Sequence, residues 1–249
     1  MAERATVPVQ DVPVDVLTVG GLLDRVQALI GARGRATVAY VNVHVMNVAA
    51  EDPALTRFLQ GVDCCYADGK GVVWGAALLG HHLPERMTGA DWIYGLADRA
   101  AQEGWRLAWL GGEPGVSAAA ASALVERFPA LQVVATEHGF HPTDGPELQE
   151  LLDRLNAARP DLLLVGMGTP LQERWVDAHR AQIQAPVVWC VGATADFVSG
   201  HVSRGPAFLY NRQEWLARLL VDPRRLWRRF LLGNPRFLGR MIAARLRGP

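Results

Sequence analysis

Short apolar runs alternate along this chain with segments in which apolar residues recur at helical spacing. The runs predict six strands, at Ala36–Asn42, Val62–Tyr66, Arg106–Leu110, Leu131–Thr136, Leu162–Val165 and Val187–Val191. Helical spacing predicts helices at Gly20–Ala32, in a segment that ends near Leu59, and at Val72–Leu79, Trp92–Glu103, Val116–Phe128, Pro146–Ala158 and Glu173–Ile183. Buried strands separated by amphipathic helices form parallel sheets covered on both faces. The pattern therefore predicts an α/β, Rossmann-like core with a mostly parallel sheet.

A basic segment, residues 204–249, follows this core, residues 1–203, and the two are predicted to be separate domains. Eleven arginines against two carboxylates give the segment a net charge of +9, and the core carries −9 because the chain is neutral. Helical pieces are predicted at Glu214–Leu220, after Asp222–Pro223, where Asp222 is the cap, and from Asn234–Pro235. Trp, Phe and Leu interleave with the arginines, a pattern typical of a helix on an anionic membrane. We therefore expect a helical, basic appendage that binds a membrane surface rather than nucleic acid.

The cysteines and the N-terminus indicate a cytoplasmic protein. Cys64, Cys65 and Cys190 have neither the number of a disulfide framework nor the spacing of metal ligands. No signal peptide is recognisable, and no apolar stretch approaches the roughly 18 to 20 residues of a spanning helix. Any membrane contact is therefore expected from outside the bilayer.

Polar or glycine-rich loops follow five of the predicted strands. Parallel strands end at one carboxyl edge, so these loops are predicted to share a rim around a nucleotide-sized cleft. The loops are Asn42–His44, Ala67–Gly71, Gly111–Gly115, Gly166–Glu173 and Gly192–Asp196. In the third loop, backbone N–H groups and the following helix can receive a phosphate. Asp68 in the second loop has two interpretations, as turn chemistry before Gly69 or as a carboxylate at the mouth of the cleft.

The sequence has three other interpretations: an oxidoreductase, a metal site and a membrane-binding adaptor. Tyr66 and Lys70 form a Y-x-x-x-K pair, which suggests an NAD(P)-dependent short-chain oxidoreductase if both lie on one helical turn. Asp68-Gly69 between them favours a turn instead. His44, His81 and His82 lack metal-ligand spacing, and the chain has no D-x-D, so a leaving diphosphate would need neutralisation by something other than a metal. The basic segment alone is compatible with a non-catalytic membrane-binding adaptor.

Several motifs taken together resemble one family, the WecG/TagA/CpsF glycosyltransferases. They are Ala67–Gly69 with Gly71, Glu85–Asp91, Leu110–Gly112, Gly166–Trp175, Gly192 with Asp196–Phe197, Arg204 with Pro206, Glu214–Trp215 and Pro223–Arg229. The resemblance implies an inverting transferase without metal or other cofactor. It would move ManNAc, ManNAcA, glucose or a similar sugar from a UDP-sugar to a polyprenyl-diphosphate-linked glycan. Such enzymes act at the cytoplasmic face of the cell membrane in cell-surface polysaccharide synthesis; a homo-oligomer is left open.

The resemblance also implies roles for single residues. Asp68 matches the general base, and Asn42 and Gln172 match polar residues of the substrate pocket. Arg86 matches the arginine of an R-x-T-G motif. Arginines of the appendage are expected to close over the site and neutralise the diphosphate, with Arg225 as the catalytic one. The other residues expected to bind substrate are Tyr40, Asp91, Gly111, Gly112, Gly166, Arg218 and Arg228.

Two positions depart from the family pattern. Tyr40 stands where members usually have threonine, and His44 where an acidic residue is common. Contacts to the donor sugar near the first strand are therefore the part of the site that the resemblance does not define.

Overall fold

A computed structural model describes residues 4–202, residue 219 and residues 223–247. A six-stranded sheet in which every neighbouring pair is parallel forms its centre. The strands are β3 (Ala36–Val41), β4 (Cys64–Ala67), β5 (Arg106–Gly111), β6 (Gln132–Glu137), β7 (Leu162–Gly166) and β8 (Val187–Cys190). Their order across the sheet is β4-β3-β8-β7-β5-β6. This confirms the predicted α/β class and all six predicted strands.

Helices cover the sheet and connect its strands. They are α1 (Val19–Gly31), α2 (Val43–Ala49), α3 (Pro53–Gly61), α4 (Lys70–Leu78), α5 (Gly89–Glu103), α6 (Val116–Arg127), α7 (Gly145–Ala157), α8 (Leu171–His179) and α9 (Thr194–Val198). Short α9 was not predicted. Two strands that precede the sheet, β1 (Thr6–Val9) and β2 (Val12–Asp15), form a separate antiparallel hairpin where only an extended piece was expected.

The helical segment that was expected to end near Leu59 is two helices, because the chain contains two caps. The Asn42 side chain accepts a hydrogen bond from the Val45 N–H and begins α2. The Asp52 carboxylate accepts from Ala54 N–H and Leu55 N–H and begins α3, with proline in its first turn. A side-chain oxygen that binds the first orphan N–H groups stabilises a new helix start. The first of these caps also fixes a residue of the site.

Aromatic rings fill the core beneath the carboxyl edge. Trp92 and Trp189 stack with their ring centroids 4.2 Å apart. Tyr66 meets both rings edge-on, at 6.5 Å and 5.9 Å. All three side chains are buried, and edge-on and stacked pairs of this kind add stability beyond their buried area. These contacts therefore stabilise β4, the strand that Asp68 directly follows.

Helical structure continues without a break from Pro223 to Arg247. It comprises an α-helical piece, Pro223–Trp227, a π-helical turn, Arg228–Leu232, and an α-helix, Gly233–Arg247, which we call the C-terminal helix. The start at Pro223 agrees with the prediction, whereas Asn234–Pro235 lies in the first turn of the C-terminal helix instead of beginning a separate piece. The predicted helix at Glu214–Leu220, apart from Leu219, the cap Asp222 and the domain boundary at residue 203 lie outside the described residues.

The C-terminal helix packs on α2 and α4. Phe237 and Met241 are its buried anchors, and a Cβ added to Gly75 of α4 would lie 2.7 Å from the Phe237 ring. Asn47 of α2 donates its side-chain N–H to the Gly233 carbonyl at 2.8 Å and accepts from Arg240. The beginning of the C-terminal helix is therefore held against α2 and its middle against α4. Of the helices described, none has the length and apolar character needed to cross a bilayer.

Candidate active site

Asn42 and Asp68 form a pair at the carboxyl ends of β3 and β4. The Asn42 Oδ1 is committed to the cap of α2, so its Nδ2 is turned toward the next strand and donates to the Asp68 Oδ2 at 2.9 Å. The Asp68 N–H donates to the Val41 carbonyl at 2.8 Å, which extends the β3–β4 pairing to the carboxylate itself. Both side chains are half-exposed. The sequence prediction that these two residues meet on one rim is confirmed in the geometry.

Three strand ends beside this pair approach so closely that only glycine fits. A Cβ at Gly111 would lie 2.3 Å from the Gly166 carbonyl oxygen, and one at Gly166 would lie 2.3 Å from the Gly192 carbonyl oxygen. A Cβ at Gly192 would lie 2.5 Å from the Tyr40 hydroxyl. The Gly112 N–H already donates to the Gly166 carbonyl at 3.1 Å. Glycine is thus required where the ends of β5, β7, β8 and β3 approach one another. The Gly112 N–H is already used by a backbone carbonyl.

Gln172 and Glu173, at the start of α8, form the buried floor of the rim. Gln172 is 0% and Glu173 is 1% exposed. The Glu173 Oε1 accepts from Thr169 Oγ1 and from Gln172 Nε2, both at 2.8 Å, and the Gln172 Oε1 accepts from the Gly192 N–H at 3.0 Å. Burial raises the pKa of Glu173 above its ordinary value, and the donated hydrogen bonds only partly oppose this. Gln172 therefore holds the loop after β8 rather than facing an open cleft.

Tyr40 joins the floor to the Asn42–Asp68 pair. Its ring is buried and inclined to that of Tyr66, with centroids 6.2 Å apart. Burial, followed by the charges of Glu173 and Asp68, raises the pKa of Tyr40 well above its ordinary value, while Arg229 and a hydrogen bond with Thr169 act in the opposite direction. The phenol therefore remains protonated and able to donate at neutral pH.

Arg86 lies in the loop that crosses the end of β4. The Met87 N–H donates to the Ala67 carbonyl at 2.9 Å, which fixes this loop beside Asp68. The Arg86 Nη2 is 3.5 Å from the Asp91 Oδ1, and Asp91 also accepts from the Thr88 N–H and hydroxyl, at 2.8 Å and 2.9 Å, as the capping box of α5. Asp91 thus orients Arg86 and begins a helix, and its role as a substrate ligand stays a prediction.

The arginines expected from the tail are only partly described. Arg218 lies outside the described residues, and Arg225 lies in the helical piece Pro223–Trp227. Arg228 is exposed, with its guanidinium 5.3 Å from the Trp227 ring centroid. The charge of the half-buried Arg229 acts on the rim, where it helps to lower the pKa of His44 and partly opposes the rise in the pKa of Tyr40. Sequence reasoning did not single out Arg229, although it directly follows Arg228.

The histidines considered as metal ligands do not come together. Burial and the nearby charge of Arg229 lower the pKa of His44 to about 4, so its imidazole is neutral at pH 7. Within residues 4–202, 219 and 223–247, no three His, Cys, Asp or Glu side chains gather as a metal site would require. The turn favoured at Asp68-Gly69 separates the Y-x-x-x-K pair, because Tyr66 is buried in β4 and Lys70 is exposed at the start of α4, so the two do not share one helical turn.

A sixth loop, His138–Asp144 after β6, also borders the rim and was missed. The Gly139 N–H donates to the Gly112 carbonyl at 2.8 Å. The His138 and His141 rings stack with their centroids 4.0 Å apart, and His141 Nε2 lies 3.4 Å from the Glu137 Oε2. The signal was available, because this loop also follows a parallel strand and contains glycine.

Comparison with known proteins finds a family and several relatives of this chain. The model of the glycosyl transferase WecG/TagA/CpsF family matches residues 7–249. An N-acetylglucosaminyldiphosphoundecaprenol N-acetyl-beta-D-mannosaminyltransferase of Bacillus spizizenii is 30% identical over 197 residues, 79% of this chain and 75% of the relative. The Staphylococcus aureus protein of the same name is 27% identical over 210 residues, 84% of this chain and 80% of the relative.

Proposed function

The chain belongs to the WecG/TagA/CpsF family of glycosyl transferases, and from this premise we propose the reaction that its rim performs. It transfers a sugar of the N-acetylmannosamine type from a UDP-sugar to a polyprenyl-diphosphate-linked sugar, with inversion and without a metal. The names of both relatives support the acceptor class and the transferred sugar. The observation that carries the proposal is the Asn42–Asp68 pair, a half-exposed carboxylate held at the mouth of the cleft by an amide that is itself fixed as a helix cap.

Asp68 is the general base of this proposal. The acceptor hydroxyl oxygen attacks the anomeric carbon, its proton passes to the Asp68 carboxylate, and the bond from that carbon to the UDP oxygen breaks. A positioned base contributes about 10²- to 10⁴-fold to the rate of such a step. The hydrogen bond from Asn42 orients the Asp68 carboxylate for this proton transfer.

Neutralisation of the leaving diphosphate falls to arginines in this proposal. Guanidinium groups bind phosphate oxygens in pairs of hydrogen bonds and stabilise charge as it develops. Arg229 supports this assignment, because its charge already acts on Tyr40 and His44 at the rim. We assign the same task to Arg225, and expect Arg225→Ala to lower transfer much more than it lowers the melting temperature. A large loss of thermal stability would instead make Arg225 structural.

The C-terminal helix is proposed to hold the enzyme on an anionic membrane, where its lipid-linked acceptor resides. Its outer side carries Leu238, Ile242 and Leu246, which are 52%, 44% and 82% exposed, among arginines. Exposed apolar residues beside basic ones suit a helix that lies in the membrane interface. The double variant Ile242→Glu with Leu246→Glu should float less with phosphatidylglycerol vesicles than the wild-type protein. Point substitutions are preferred to removal of the whole helix, because removal would also uncover α2 and α4. Unchanged flotation would exclude this surface.

Transfer from a panel of UDP-sugars to undecaprenyl-diphosphate-linked N-acetylglucosamine tests the function. We expect UDP-N-acetylmannosamine to be used, an inverted anomeric configuration in the product, and full activity in EDTA. Activity that EDTA abolishes and Mg²⁺ restores would contradict metal independence alone. Transfer from another UDP-sugar would correct the sugar, and no transfer from any member of the panel by wild-type protein would refute the function.

A further inference from the structure

A cavity of about 340 Å³ opens at the amino edge of the sheet, opposite the rim that carries Asp68. Thr37 at the beginning of β3, the end of α3 and the end of α8 surround it. Its volume lies in the range of small-molecule sites. The proposed reaction uses none of its residues, so the cavity is independent of the catalytic cleft.

The half-buried guanidinium of Arg180 forms one wall. Arg180 donates from Nη1 to the Ile183 carbonyl at 3.0 Å and from Nη2 to the carbonyls of Ala36, Ala185 and Pro186, at 3.3, 2.9 and 3.0 Å. Its buried Nε has no hydrogen-bond partner. The partners of this guanidinium are therefore neutral carbonyl oxygens, and its positive charge is not cancelled by a carboxylate in contact.

The charges around Arg180 compensate its own charge only in part. Burial and the charge of nearby Arg35 lower the pKa of Arg180 to about 10, and the charge of Asp63 opposes them only in part. The Asp63 carboxylate is engaged with the Thr37 N–H at 2.8 Å. A buried charge without an opposite charge is costly, and an anion placed beside it relieves that cost.

The mouth of the cavity adds one charge of each sign. Arg57 of α3 and Asp177 of α8 both line it and are exposed, so the lining carries two guanidinium groups against one carboxylate. No residue in the described part of the chain forms an ion pair with Arg57. The cavity therefore has a net positive lining with one guanidinium directed to solvent.

The remaining lining is apolar. Val62 is 3% and Val176 is 0% exposed, and the half-buried Phe58 ring completes the wall. Apolar walls with a few charged groups are typical of small-molecule sites, where the charges fix the orientation of the ligand. From this cavity and its lining we propose a second ligand site at the amino edge of the sheet, for a small organic anion with one apolar group.

Three probes separate the contributions of charge and apolar contact. Phenyl phosphate carries both, inorganic phosphate only the charge and benzyl alcohol only the ring. In saturation-transfer NMR and calorimetry on the full chain, phenyl phosphate should bind more tightly than either of the others. Equal affinity of phenyl phosphate and inorganic phosphate would overturn the proposal, because the apolar wall would then contribute nothing.

Surface variants locate the site without disturbing Arg180. Arg57→Gln should weaken phenyl phosphate about two- to fivefold and Asp177→Asn should tighten it by a similar factor, as expected for exposed charge pairs. Ala54→Trp, at an exposed position of the lining, should fill the mouth and abolish binding. The matched control is Arg159→Gln, an exposed arginine outside the lining, which should leave the affinity unchanged. Binding that survives Ala54→Trp, or that responds equally to Arg159→Gln, would refute the site.

Discussion

Two carboxylates on the same rim, Asp68 and Glu173, occupy opposite environments. Asp68 is half-exposed and accepts a hydrogen bond from Asn42 at the open ends of β3 and β4. Glu173 is 1% exposed, and its Oε1 accepts from both Thr169 and Gln172, whereas its Oε2 has no hydrogen-bond partner. The chain thus divides the rim into an open half and a buried half that Tyr40 connects.

The difference shows how environment assigns roles to chemically similar groups. Burial raises the pKa of Glu173, which favours the protonated form more than at an exposed carboxylate. Asp68 is held in place but remains accessible to solvent, which is what a base that must meet an acceptor hydroxyl requires. We therefore expect the open carboxylate to affect turnover and the buried one to affect stability.

The largest expected effect is that of Asp68→Asn. The new side chain can still accept from Asn42, but it cannot take a proton, so kcat should fall about 10²- to 10⁴-fold. The melting temperature should change little, because the group is half-exposed. Single-turnover transfer and thermal unfolding measure the two quantities. Wild-type kcat in this variant would remove Asp68 from the role of base.

Glu173→Ala should show the opposite division between activity and stability. It leaves the Thr169 hydroxyl and the Gln172 amide without their buried acceptor, which costs about 1 to 3 kcal/mol in the free energy of unfolding. Glu173→Gln retains an oxygen at Oε1 and is the matched control, with a much smaller loss. Urea unfolding of both variants measures the loss in the free energy of unfolding. Equal losses in the two variants would mean that the lost hydrogen bonds do not cause the destabilisation.

The pH dependence of stability provides a finer test of the buried half. Because the pKa of Glu173 is raised in the folded state, the folded protein binds more protons than the unfolded one above the ordinary value of 4.5. Its contribution to stability is therefore full below that value and is lost as the pH rises through the folded pKa. Wild-type protein should lose stability relative to Glu173→Gln over this range, as measured by urea unfolding at successive pH values. A constant difference would show that Glu173 ionises normally.

The open half was more predictable from the sequence than the buried half. Asp68 and Asn42 follow apolar runs, and the rule that parallel strands end at one edge brought them together. The burial of Gln172 was not predictable, because it depends on the Glu173 contact and on the Gly192 N–H, which lies twenty residues away. Asp52, the cap that splits one predicted helix into two, was also missed, since helical spacing continues across it.

The arginines of the basic segment also show what sequence spacing could not predict. Spacing of seven and three residues singled out Arg218, Arg225 and Arg228 but not Arg229, whose charge acts on Tyr40 and His44 at the rim. The π-helical turn Arg228–Leu232 changes which side of the helix each residue occupies, and nothing in the spacing of the arginines indicates such a turn.

The smallest expected effect concerns the charge that the tail places over the open half. Arg229→Ala removes one of the two causes that lower the pKa of His44 from 6.5 to about 4, so that pKa should rise while burial keeps it below the ordinary value. The matched control is Arg228→Ala, because Arg228 is exposed beside Trp227. NMR titration of the His44 ring gives the pKa directly. An unchanged pKa in Arg229→Ala, or an equal rise in Arg228→Ala, would mean that Arg229 does not lie over this half of the rim, and its proposed role at the diphosphate would fail with it.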